Sequence, residues 1–471
     1  MLIDFKRLSI NYATLFFGEV FSKILGFVVF AFLARIFGPN YYGCLEFAIA
    51  AVFIFNLIVD SGFWNIGIRE ISKDEKLVDK YVSHIVFIQY LFAIGSYCAI
   101  VIFACCIQKP WLVKKLILLY GLTLFSTPLL LHWVFQARNK TWLVAITSVI
   151  KQVSVAIGII IFIRNRDQIW QVPIIEIASL TLVILLNIFI YIRYFGTFLL
   201  KISFPFAYSL IRQTIPLGLS QLMWALKIYL APLLLGIMIG DKEVGLFGAG
   251  HRIIVALHIF TYLYFYNLLP SISRSIHQSE STLQNLLGTS IKVTAWIAVF
   301  IGMVGTIFAK SGIVLIYGSE YTESILPFQI MIWVLSIALL SGHYRFTLIG
   351  YGKQKLEFYS SAWGTGINMM LNLILIPFIG SVGAACSLLG SEVLIWIISY
   401  YYVNKRTIRI PMVTKLIKPI FGGIITVICL YLLPSFNPLV TCCTVVIVYA
   451  FTMYILQPDL VKNIQSFVSS K

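Results

Sequence analysis

Residues 12–34 read YATLFFGEVFSKILGFVVFAFLA. Only Glu19 and Lys23 interrupt the apolar run with charge. A bilayer core about 30 Å thick is crossed by roughly twenty helical residues, each rising about 1.5 Å. Within hydrocarbon every backbone N–H and C=O must be paired inside its own segment, so a run of this length is a helix. Lys6 and Arg7 precede it, as the charged end of a signal peptide would. The run is too long for a signal core, however, and no obvious cleavage site follows, so it reads as a first transmembrane helix.

Thirteen similar stretches follow. The fourteen lie near 11–34, 42–63, 82–107, 114–136, 142–163, 172–194, 213–239, 246–271, 287–309, 325–350, 357–379, 382–403, 416–434 and 438–456. The chain is 60% hydrophobic and 11% charged, with a mean hydropathy of +0.94. Soluble domains carry about 25% charged residues. The longest polar breaks, near 69–80, 273–284 and 404–415, are too short for a folded catalytic unit. The expected fold is an all-α polytopic membrane protein of about fourteen helices.

The net charge is +17. In a soluble protein that would suggest nucleic acid as a partner, but most of these cations lie in loops, where they report topology. With the N-terminus on the cytoplasmic side, the inner segments hold 21 Lys and Arg and the outer segments 8, so both termini are expected in the cytoplasm. The eight cysteines lie in or beside apolar spans without a CxxC spacing, and read as small buried residues. No metal spacing, P-loop, nucleophile elbow or dinucleotide motif is present, and no cofactor is expected.

An internal repeat organises the spans. The first exits through Gly38-Pro39-Asn40-Tyr41-Tyr42-Gly43 and the seventh through Gly240-Asp241-Lys242-Glu243-Val244-Gly245. Ile71-Ser72-Lys73 and Ile272-Ser273-Arg274 recur at nearly the same offset. Two six-helix lobes, 1–203 and 204–410, are expected, followed by two extra helices and a short tail over 411–471. Six is even, so both repeats start on the same side. Transporters built from parallel repeats place their substrate between the halves and rock them for alternating access.

Charged groups at membrane depth are costly and usually face a cavity or a partner. In the first span Asn11, Gly18, Ser22 and Gly26 share a helical face, with Glu19 and Lys23 beside them at a spacing that permits an ion pair. Glu46, Asn56 and Asp60 mark the second span, Ser220, Trp224 and Lys227 the seventh, Gly248 and Arg252 the eighth. Lys227 and Arg252 have no acid one turn away and are expected to face a lumen, joined by Lys23. Glu19, Asp60, Glu176 and Glu392 are candidates for ion coupling, with polar packing as the alternative. Lys151, Lys292 and Arg345 lie near span ends, where they would snorkel to the interface. His132 reads as a packed residue, and Tyr262, Tyr264, Phe265 and Tyr266 as an aromatic belt.

Several segments resemble polysaccharide flippases of the Wzx type. Ala34–Gly43 followed by Phe47-Ala48 is similar to their first outer turn, and Asp60-Ser61-Gly62 with Ile68-Arg69-Glu70-Ile71-Ser72 to the segment after their second span. Val244-Gly245-Leu246-Phe247 with Arg252-Ile253, Gly350-Tyr351-Gly352-Lys353-Gln354-Lys355, and Asn372, Ile376-Pro377 and Gly380–Ala385 with Glu392 resemble later helices, in order. The resemblance implies membership of the multidrug/oligosaccharidyl-lipid/polysaccharide exporter superfamily. It implies two lobes around a cationic cavity that passes undecaprenyl-pyrophosphate-linked oligosaccharide from the inner to the outer leaflet of a bacterial inner membrane. That family often carries an acid in helix seven just before a Leu-Leu-Leu-Gly run. Here Ala231-Pro232 precede Leu233–Gly236, so an ion-coupling role does not carry over to that position.

Such cargo accounts for the cations. A sugar–pyrophosphate headgroup cannot cross hydrocarbon unaided, and a basic cavity offers it charge-assisted hydrogen bonds. Without an ATP-binding loop, energy would come from an H⁺ or Na⁺ gradient or from consumption of cargo outside, where the polysaccharide polymerase machinery is a possible contact. A drug/cation antiporter of the same fold is the alternative, but it would favour an acidic cavity. A membrane polymerase or glycosyltransferase would need a long outer loop with carboxylates.

Overall fold

The computed structural model describes residues 2–196, 202–410, 413–432 and 438–459, excepting the side chains of 2–13, 15, 75, 220, 224, 413, 438 and 439. The expectations for Lys6, Arg7, Asn11, Ser220 and Trp224 therefore fall outside the described side chains. Regular structure among the described residues is entirely helical. It comprises α1 (Leu2–Asp60), α2 (Phe63–Ile71), α3 (Val78–Cys106), α4 (Trp111–Gly121), α5 (His132–Ala137), α6 (Thr141–Phe162), α7 (Gln171–Phe195) and α8 (Phe204–Met238). Then come α9 (Asp241–Gln278), α10 (Glu280–Ile307), α11 (Ala309–Tyr317), α12 (Ile325–Gly350), α13 (Gln354–Arg406), α14 (Val413–Leu432) and α15 (Pro438–Leu456).

Among the described residues, every one of the fourteen apolar stretches is helical. Ten continuous helical runs are long and apolar enough to cross a bilayer. Two of them each hold a pair of spans. In α1 the break is Gly38, whose φ of 69° and ψ of 171° leave the helical region, followed by Pro39. Glycine accepts positive φ without steric cost, and proline has no N–H to continue the ladder. In α13 the break is Ile379 and Gly380, the latter at φ 52°. The helix α8 carries Pro216 and Pro232 and bends by 50° between Phe204–Met223 and Ala225–Met238. The fourth stretch is irregular: α4 runs through a 3₁₀ segment, Leu122–Leu129, into α5.

Two compact units divide the chain, Met1–Gly248 and Ala249–Lys471. Within the first, α1 packs along α6, α8, α4 and α3. One end of that unit is filled by Phe63, Ile85, Trp133, Phe135 and Tyr191. Within the second, α12 packs on α13 and α10. The last two helices dock on α10, where Tyr449 Oη donates to the Trp296 carbonyl at 2.9 Å and Trp296 Nε1 donates to Gln457 Oε1 at 2.6 Å. Outward faces are apolar. On α6 Ile157, Ile160, Ile161 and Phe162 are exposed, and on α7 Leu182, Leu185, Phe189 and Ile192. Water would not tolerate such a continuous apolar surface on a soluble monomer, and lipid accommodates it. The protein is a multi-pass membrane protein.

Candidate functional site

The two repeated turns meet. A Cβ on Gly43 would lie 1.7 Å from the Asp241 carbonyl oxygen, and one on Gly245 would lie 2.0 Å from the Pro39 carbonyl oxygen. The contact is reciprocal. In each turn the first glycine, Gly38 or Gly240, has positive φ, and the second admits the backbone of the residue following the first glycine of the other turn. Beside this junction Lys109 Nζ donates to Asp241 Oδ1 at 2.6 Å, with the two side chains only 9% and 17% exposed. The Lys109 ammonium also lies 5.1 Å from the centre of the Phe47 ring. Neither the meeting of the turns nor the ion pair could be read from the spacing of the motifs.

The remaining charges of the first unit are held as follows. Glu19 accepts a hydrogen bond from Ser148 on α6 at 3.2 Å. It makes no ion pair with Lys23, contrary to the expectation from their spacing, because α6 packs along this part of α1. Lys23 is exposed. Asp60 accepts from the Gln221 side chain and from the backbone N–H groups of Gly62 and Trp64, in the turn between α1 and α2. Lys151 and Glu176 pair at 3.4 Å between α6 and α7. Lys151 therefore has a carboxylate partner within the unit where snorkelling alone was expected. Lys227 is half-buried on α8.

In the second unit Arg345 donates two hydrogen bonds to Glu357 Oε1, at 3.0 and 2.7 Å, and a third to Ser361. This residue too is paired where sequence suggested a snorkelling cation. Glu392 is 3% exposed and accepts from Ser341 at 3.2 Å. His343, fully buried, meets Ser290 Oγ at 2.7 Å, and Ser290 Oγ in turn meets Tyr264 Oη at 2.6 Å. Phe265 packs edge-on to His343 and stacks on Phe346. Tyr264 and Phe265 thus belong to the interior, not to an interfacial belt. Among the described residues no group of His, Cys, Asp or Glu side chains forms a metal-binding cluster.

The helix α9 stands apart. It has the lowest mean hydropathy of the ten runs and the smallest buried share. One face packs inward: Gly250 against Phe328 and Met331, Ile254, Thr261, and Phe265 against His343. Away from it, at helical spacing, lie Arg252, Val255, Ile259, Tyr262 and Tyr266. Val255, Tyr262 and Tyr266 are exposed and Arg252 is half-buried. α9 is the least apolar and least buried of the ten runs, and its Arg252, eleven residues after Asp241, would cost up to roughly 2.5–3.5 kcal/mol in hydrocarbon by insertion scales. This face of α9 suits a water-filled path.

Two helical units with broken spans make a polytopic, all-helical membrane fold. The same architecture occurs in the lipid II flippase MurJ in its inward closed conformation: TM-score 0.75, 17% identity, covering 95% of this chain and 99% of that one. It also occurs in an inward-facing multidrug resistance transporter of the MATE family: TM-score 0.64, 11% identity, covering 82% and 96%. In sequence, a putative O-antigen transporter of Shigella dysenteriae is 23% identical over 400 residues, covering 82% of this chain and 97% of the relative. A capsular polysaccharide biosynthesis protein, CapF, of Staphylococcus aureus is 26% identical over 201 residues, 41% of this chain, and the match spans 49% of that protein's length. Residues 9–276 match the family described as polysaccharide biosynthesis protein, and the chain belongs to that family.

Proposed function

We propose that the protein is a flippase, not an enzyme, for lipid-linked oligosaccharide. It would carry undecaprenyl-pyrophosphate-linked repeat units from the inner to the outer leaflet during surface polysaccharide assembly. Family membership and the relatives' names support the cargo class. The observation that carries the reading is the little-buried face of α9 that holds Arg252 and two exposed tyrosines. Lys23, exposed on α1, and Lys227, on α8, are the other cations assigned to the path. The lobes 1–203 and 204–410 remain the proposed moving halves. Glu19, Asp60, Glu176 and Glu392 all have hydrogen-bonding partners, which favours packing over ion coupling for a resting carboxylate. H⁺ or Na⁺ coupling and contact with polymerase machinery belong to the same proposal.

Arg252→Ala is expected to weaken cargo binding about ten- to a hundred-fold, the worth of one charge-assisted contact of roughly 1.5–3 kcal/mol. Surface polysaccharide should fall sharply, with single lipid-linked repeat units accumulating on the inner leaflet and the protein present at normal abundance. Arg252→Lys should retain part of the activity, since a point charge survives while the planar fork is lost. Normal export by the alanine variant at normal abundance removes Arg252 from the path.

The proposed setting is the bacterial inner membrane, with both termini cytoplasmic. A membrane-impermeant thiol reagent added to intact cells should label a cysteine placed at Asn40 or Lys242 and miss one at Lys76 or Lys405. The opposite pattern inverts the topology.

A further inference from the structure

Tyr262 and Tyr266 are stacked, with ring centroids 5.8 Å apart and planes 24° from parallel. They are 56% and 57% exposed, among the more open aromatic side chains of a helix whose neighbouring Phe265 is 1% exposed. An interfacial belt would place two open tyrosines on a stripe of apolar neighbours; here the stripe also carries a cation. Arg252 stands on the same stripe, ten and fourteen residues earlier, or about 15 and 21 Å along the helix axis. Arg252 is half-buried on that side of the helix, and a cation there favours a polar surface over hydrocarbon. The two rings therefore line the polar path that Arg252 lines. Stacked on one another, the two rings hold a fixed mutual geometry and still leave more than half of each side chain open.

We propose that Tyr262 and Tyr266 form a saccharide-stacking subsite, a platform on which sugar rings of the cargo pack while its pyrophosphate is held near Arg252. The proposal rests on the lipid-linked oligosaccharide reading given above and deepens it. The chemistry is that of an aromatic face. Its quadrupole is negative over the ring, and a sugar presents a face of C–H groups that are weakly positive and apolar. Hydroxyls at the sugar's rim stay hydrated or meet the tyrosine hydroxyls. The separation of about 15–21 Å from Arg252 is one that an oligosaccharide spans and a bare pyrophosphate does not. Two broad, sequence-tolerant surfaces also suit cargo that must be released after passage.

The test measures binding of two probes to the purified full-length protein in lipid nanodiscs. One is undecaprenyl pyrophosphate; the other is the same lipid bearing the cell's own repeat unit. For the wild type the glycosylated lipid should bind more tightly. The Tyr262→Leu/Tyr266→Leu pair keeps apolar volume and helix propensity but removes the rings. It should weaken binding of the glycosylated lipid roughly tenfold and leave undecaprenyl pyrophosphate unchanged. Tyr262→Phe/Tyr266→Phe should bind both probes within about twofold of wild type, because the faces survive. Arg252→Ala should weaken both. If the leucine pair binds the glycosylated lipid like wild type, or loses both probes equally, the subsite is overturned while the Arg252 result stands on its own. If wild type binds neither probe, the flippase reading fails and the subsite with it.

Discussion

Gly43→Ala and Gly245→Ala should each sharply lower the amount of folded protein in the membrane. The new Cβ would meet a backbone carbonyl oxygen at 1.7 Å in one case and 2.0 Å in the other. A flexible side chain can swing aside; a carbonyl within a turn moves only with its helix. Overpacking in well-packed interiors costs about 1–3 kcal/mol, and a rigid backbone clash belongs at the upper end. Gly95 on α3 and Gly366 on α13 supply the comparison, since a Cβ at either meets nothing within 4 Å. Their alanine variants should accumulate and melt like wild type. Membrane abundance and the thermal midpoint of detergent-purified protein are the measurements. A Gly43→Ala protein that matches the Gly95→Ala control would mean that the two turns do not touch.

Breaking the Lys109–Asp241 pair should have the next largest effect. Both side chains are largely buried and the contact is 2.6 Å. Removing one partner of a buried pair leaves the other charge without compensation, at a cost of about 3–5 kcal/mol. Asp241→Asn and Lys109→Met should each lower the thermal midpoint substantially. The double variant has no stranded charge, and should lose much less than the two single losses together. That shortfall, a coupling energy of up to about 3 kcal/mol in a double-mutant cycle, is the signature of the pair. Additive losses would show that Lys109 and Asp241 act independently.

Much of the architecture was legible because lipid leaves the chain few choices. A stretch of the right length and apolarity must be a helix, and the fourteen stretches are helical. Glycine and proline marked the breaks: Gly38 with Pro39, and Gly380. Two matching turns, Gly38–Gly43 and Gly240–Gly245, were visible by their glycines. What spacing could not convey is which turn touches which. Gly43 meets residues some two hundred positions away, and Lys109 finds its partner 132 residues on. Lys151 and Glu176 are 25 apart and Arg345 and Glu357 are 12 apart; both pairs join different helices. Local periodicity reports a helix face and not its neighbour, so Glu19 with Lys23 looked like a pair when Ser148 was the partner. The same limit hid the division among Tyr262, Tyr264, Phe265 and Tyr266, two packed inward and two exposed.

The meagre burial of α9 also bears on how the protein is made. A helix that carries an arginine within its apolar run gains less by leaving the translocon for lipid alone, because one such residue offsets the contribution of several leucines. The inward face of α9 is completed by Phe328, Met331, His343 and Phe346, all of them on α12, which the ribosome finishes only after α10 and α11. Until then only the first turns of α9, at Asp241 and Gly245, have their packing partners. Its final place in the bilayer is therefore settled after its own synthesis, when a later helix arrives to receive it.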